Sequence, residues 1–89
     1  MISVQLVDAN EYEVVVQGET PTTHRVRMSQ EYYRDLCGAT VTHEFVLMQA
    51  FRFLLEREPN TAILERFDLP DIGRYFPEFE DELKRTLAR

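Results

Sequence analysis

Cys37, His43 and Glu44 are the residues whose types and spacing come nearest to chemistry. A thiol upstream of an imidazole, with a carboxylate beside it, has the composition of a Cys–His nucleophile pair and an orienting acid. No local signature of a thiol enzyme surrounds Cys37, and a helix cap separates it from His43. The plainer reading is a buried structural cysteine and a solvent-facing histidine. A zinc site wants four ligands, usually in paired short spacings. One cysteine with His24 and His43 does not provide them. Gly18, Gly38 and Gly73 are isolated, so there is no glycine-rich phosphate loop. The carboxylates Asp68 and Asp71, and Glu80, Asp81 and Glu82, gather where helices begin, and capping and the helix dipole account for them. Tyr32 and Tyr33 read as packing residues rather than a stacking platform. The expectation is a protein that is not an enzyme, with no cofactor and no metal.

These residues sit in a chain of 89 residues, room for a single domain over 1–89. Its apolar share of 44% and charged share of 29% are those of a folded domain. The densest apolar patch, Phe45 to Leu55, is broken by Gln49 and Arg52, so no membrane span is expected. The opening "MISVQLVDANEYE" lacks a basic region followed by an apolar run, so no secretion signal is expected. A lone cysteine suits a reducing cytoplasm. The formal charge of −6 argues against nucleic acid, whose binding is driven mainly by Lys and Arg.

Strands come first. "ISVQLVD" alternates Ile2, Val4 and Leu6 against Ser3 and Gln5, the period of a half-buried strand. After the turn residues Asp8 to Asn10, "EYEVVVQ" puts Tyr12, Val14 and Val16 on one face. "THRVRM" points Val26 and Met28 inward and Arg25 and Arg27 outward. Short turn-rich links between them predict a three-stranded antiparallel meander over 1–28.

A helical pair follows over 29–58. Ser29 is an N-cap, Met28 and Tyr33 can staple the first turn, and Gly38 sits where a left-handed residue closes a helix over 30–37. Thr40 or Thr42 caps the main helix, which Pro59 ends. In the tail, 59–89, Asp68, Pro70 and Asp71 mark one short helix. "EFEDELKRTLAR" makes another, with acidic residues first and basic ones last. The fold class is α+β, with three to five helices after the meander, one of them long and strongly apolar.

That main helix carries the clearest message. With Phe45 at zero, Gln49, Arg52 and Glu56 form a narrow polar stripe, and apolar residues fill roughly 80° to 300° of the wheel. One side of a sheet needs an apolar arc of only about 100°. A second covering is therefore required. The tail can supply it, as a lid built on "RFDLPDIGRYFPEF", or a second copy of the chain can, in a homodimer. A third use for that aromatic segment is docking a protein partner. The expected interface comprises Val46, Leu47, Phe51, Phe53, Leu54 and Leu55, with Tyr75 and Phe76 from the tail.

Residues 24–58, "HRVRMSQEYYRDLCGATVTHEFVLMQAFRFLLERE", run strand, short capped helix, glycine turn and longer helix. This order resembles the ribbon-helix-helix proteins that repress transcription or act as antitoxins. The resemblance implies a strand paired across a dimer, with Arg25 and Arg27 entering the DNA major groove. Separately, "HRVRMSQEYYRDL", "FLLEREP" and "ILERFDLPDIGRYFPEFE" together resemble a family of short prokaryotic proteins with no assigned activity. That resemblance implies a stand-alone cytoplasmic protein and no particular site. The functional expectation is a non-enzymatic interaction or dimerisation module. The alternative is a DNA-binding regulator using Arg25 and Arg27.

Overall fold

Alternation along the first 27 residues builds a sheet, and the computed structural model, which describes residues 1–88, shows how it closes. Strands β1 (Ile2–Asp8), β2 (Glu11–Val16) and β3 (Thr22–Arg27) are antiparallel neighbours, with Val4 opposite Val14 and Val14 opposite His24. Tyr12, Val14, Val16 and Val26 are buried on one face. Asn10 takes φ 59 in the β1–β2 turn, a left-handed conformation that Asn tolerates. Its carbonyl accepts from Met28 N at 2.9 Å, tying the turn to the end of β3.

The helices follow the cap chemistry. Helix α1 (Gln30–Cys37) starts at Ser29, whose hydroxyl accepts from Tyr32 N, and ends at Gly38 with φ 60. Helix α2 (His43–Leu55) starts at Thr42, which accepts from Phe45 N at 3.0 Å. The tail forms a 3-10 turn (Asn60–Ala62), strand β4 (Arg66–Asp68), a second 3-10 turn (Leu69–Asp71), and helices α3 (Ile72–Tyr75) and α4 (Phe79–Leu87).

Two expectations are corrected. The sheet is mixed: β4 lies parallel to β3, pairing Phe67 with Val26, in the order β1-β2-β3-β4. A three-residue strand with one inward side chain has too little alternation to announce itself. Nor is the main helix long, at 13 residues. Residues preceding proline are driven out of the helical region, so Pro59 forbids helix at Glu58. Arg57 closes the end by donating from Nη1 to the carbonyl of Phe53 at 3.0 Å.

The wide apolar arc is covered within the chain. Phe51 stands 5.4 Å from the His24 ring and 6.1 Å from Phe67, between centroids, on the sheet side. Phe53 meets Phe79 at 5.1 Å and Phe76 at 5.9 Å, both edge-on, on the tail side. Val46, Leu47, Phe51, Phe53 and Leu54 are buried and Leu55 half-buried, so the expected dimer face of α2 is spent on the chain's own core. From the aromatic segment Phe67, Leu69, Ile72 and Phe79 are buried.

The feature that the sequence did not announce is His24. It is 1% exposed, and both ring nitrogens are engaged: Nδ1 lies 2.7 Å from the Leu64 carbonyl and Nε2 lies 2.8 Å from the Thr22 hydroxyl. Neutral imidazole satisfies both, with Nδ1 donating to Leu64 and Nε2 accepting from Thr22. Asn60 then donates to the Thr22 hydroxyl at 2.9 Å and to the Thr20 carbonyl at 2.8 Å. Arg25 N donates to the Glu65 carbonyl at 2.6 Å. These bonds seat β4 on β3.

Phe79→Ala is expected to cost about 3–5 kcal/mol in urea unfolding, while Tyr75→Ala at the surface stays within about 0.5 kcal/mol. His24→Phe puts a somewhat larger apolar ring in place of the imidazole, strands the Leu64 carbonyl and leaves the Thr22 hydroxyl only its bond from Asn60. It is expected to cost about 1–3 kcal/mol, with faster hydrogen exchange at the Arg25 amide as β4 loosens.

Candidate interaction surface

Where the lid is imperfect, it leaves a groove. Alternation at Ile63 and Leu64, just before β4, buries the first side chain and turns the second outward. The short α3 does the same with Ile72 and Tyr75. Between these two pairs lies a cavity of about 210 Å³, floored by Leu54, Ile63, Phe67 and Ile72. Leu64 and Tyr75 stand at its mouth, 52% and 67% exposed, and Glu58 and Asp71 add carboxylates to its wall. Of the interface residues expected from sequence, only Tyr75 and the half-buried Phe76 remain at the surface here beside buried Leu54. Leu64 and Glu58 were missed. The one sequence signal for Leu64 is that it directly follows Ile63, where a strand period of two puts only one of them on the core face. Glu58 has none.

The groove wall is held by an ionic clamp. Arg57 lies over the Phe53 ring, its guanidinium carbon 3.6 Å from the centroid. Nε donates to Glu78 Oε2 at 3.2 Å and Nη2 to Glu82 Oε2 at 2.9 Å, joining the end of α2 to the start of α4. Burial alone would lower the guanidinium pKa, but the bonds to Glu78 and Glu82 prevail and raise it. The Glu78 carboxyl is held below the usual range, first by a hydrogen bond to its own backbone and then by Arg57. A second strut joins α1 to α4, where the Tyr32 hydroxyl donates to Glu80 Oε2 at 2.9 Å. Burial, and then this bond, push the Tyr32 phenol far up.

The chemistry-bearing residues are not assembled. The Cys37 thiol donates to the Tyr33 carbonyl at 3.5 Å. His43, expected to face solvent, is half-buried. It stacks on the Tyr33 ring at 3.7 Å between centroids and meets the Gln30 side-chain oxygen at 3.0 Å. Thiol and imidazole thus engage different partners, and exposed Glu44 orients neither. Among the described residues, no three His, Cys, Asp or Glu side chains are grouped to hold a metal ion, and no helix is long and apolar enough to cross a membrane.

Arg25 and Arg27 do point outward, but the ribbon-helix-helix layout is not available to their strand. A strand that pairs across a dimer needs a free edge, and β3 has β2 on one side and β4 on the other. Arg25 Nε lies 3.4 Å from Glu11 Oε1, an ion pair without hydrogen-bond alignment. The same sheet face carries Glu11 opposite Arg27, Glu13 opposite Arg25, and Asp68 beside Arg27. Basic side chains so interleaved with acids make no continuous phosphate-binding track.

No family model matches the chain, and no curated protein or solved structure shows significant similarity to it.

The clamp makes an acid limb. Because the folded Glu78 pKa is depressed, its stabilisation is present above the unfolded Glu value of about 4.5 and is lost as pH falls through the folded value. Thermal melts from neutral pH downward are expected to show this loss in the parent chain, and a shallower acid limb in Glu78→Gln.

Proposed function

We propose that the protein is a non-enzymatic interaction module whose groove between Leu64 and Tyr75 seats one large apolar side chain of a protein partner, flanked by Lys or Arg. The observation that carries this reading is the groove itself, an apolar floor opening between two exposed apolar residues. Its volume of about 210 Å³ is smaller than the roughly 300–1,000 Å³ of small-molecule sites, and it suits a single anchor side chain. Isolated exposed apolar residues are ordinary, whereas two of them framing an apolar cavity mark a contact site. Tyr75 has the character of a contact residue, with a broad apolar ring, a hydroxyl and little side-chain entropy to lose. Charge selects the flank of the anchor. Glu58 and Asp71 line the groove and the chain carries −6, so a basic segment is drawn in and an acidic one repelled.

Selection of a displayed random-peptide library on the intact protein tests this. Enriched peptides are expected to carry one Phe, Leu, Met or Trp beside Lys or Arg. They should shift the amide resonances of residues 62–76, and lose at least about tenfold in affinity to Tyr75→Ala or Leu64→Glu. A selection that enriches nothing, or peptides whose shifts lie outside the groove, overturns the proposal.

A further inference from the structure

The two margins of the sheet are unlike. At one, β4 is three residues long and exposes Arg66 and Asp68. Brevity and charge are the usual means by which an edge strand is kept from pairing. At the other, β1 spans seven residues, Ile2 to Asp8, and has none of this protection before its end. It contains no Lys, Arg, Pro or Gly, and its single charge is Asp8. The bulge that disturbs β1 falls at Val7, between the pairs Leu6–Tyr12 and Asp8–Glu11, which leaves Ile2 to Leu6 regular.

The burial of this strand is also incomplete. On the core face, the side chains of β2 and the inward Val26 of β3 are 0–4% exposed, whereas Ile2 and Val4 are half-buried and Leu6 is 55% exposed. The apolar layer runs out to the edge strand and stops there in water.

We infer that β1 pairs antiparallel with β1 of a second copy of this chain about a two-fold axis at Val4, making one continuous eight-stranded sheet. The chemistry selects both occupant and register. An antiparallel partner keeps apolar side chains on the core face only if the residues opposite each other have numbers of the same parity. Centring on Val4 sets Ile2 against Leu6 of the second copy, Val4 against Val4, and Ser3 against Gln5. The exposed leucine then gains an apolar cross-strand neighbour. Centring one residue pair further along, on Gln5, would set Ile2 against Asp8 and draw the bulge into the ladder. A second copy is otherwise repelled by the charge of −6, and the uncharged run from Ile2 to Val7 is a strip along which like-charged molecules can approach. Pairing over five residues makes a small interface, so the dimer forms in proportion to concentration. This surface is separate from the groove and gives a dimer two grooves, which raises avidity for a partner with repeated anchors.

Sedimentation velocity over a concentration series from low micromolar to millimolar tests it. The mass is expected to rise from 10.5 kDa toward twice that value. Ser3 and Gln5 are exposed on the outer face, so substitutions there leave the monomer fold intact, which circular dichroism checks. Ser3→Lys with Gln5→Lys places lysine against lysine across the axis and is expected to leave a monomer throughout. Ser3→Glu with Gln5→Lys places opposite charges across the axis, keeps the new lysine beside Glu13 within the chain, and is expected to restore the dimer. A monomeric parent at every concentration overturns the inference, as does a dimer indifferent to the double lysine variant or one not restored by the charge pair. None of these outcomes bears on peptide binding in the groove.

Discussion

Helix α2 places Phe51 and Phe53 two residues apart, hence about 200° apart around its axis, and both rings must leave water. No single layer can cover both. The sheet takes Phe51, beside His24 and Phe67, and the tail takes Phe53, beside Phe76 and Phe79. The return of the chain after Pro59 answers this demand. A domain of this size buries a modest share of its surface, so leaving one flank of its most apolar helix uncovered would remove a large part of its stability.

Apolar demand brings the tail back without saying where it lands, because burial has no direction. Polar groups supply the direction. His24 and Asn60 fasten the segment before β4 to the start of β3, and Arg57 fastens the start of α4 to the end of α2. Each acts at a place where a buried or half-buried polar group would be costly without its partner. The parallel strand is a consequence of those fastenings more than of its own three residues.

The surfaces left over are where the molecule has something to offer another. A lid made of short helices and turns covers α2 in pieces, and the groove between Leu64 and Tyr75 is the seam between two of them. The margin at β1 is the other remainder, the one long strand with a neighbour on only one side. Both are apolar, and they lie on different parts of the chain.

The helix caps, the three-stranded meander and the two helices that follow it were legible in the sequence because they depend on local contacts. Ser29, Gly38 and Thr42 act on residues within a turn of themselves, and strand alternation has a period of two. The need for a second cover on α2 was legible too, since it follows from the helical period. What covers it was not, since tail and second copy answer the same demand equally well on a helical wheel. Tertiary structure alone decided that the tail does so, that β4 adds a parallel strand, that His24 is a buried pin and His43 a stacked ring, and that Leu64 is exposed at the groove beside a half-buried Phe76. Each depends on which distant residues meet, and the energy of such contacts is shared between positions as far apart as Thr22 and Asn60, leaving no periodic trace in either.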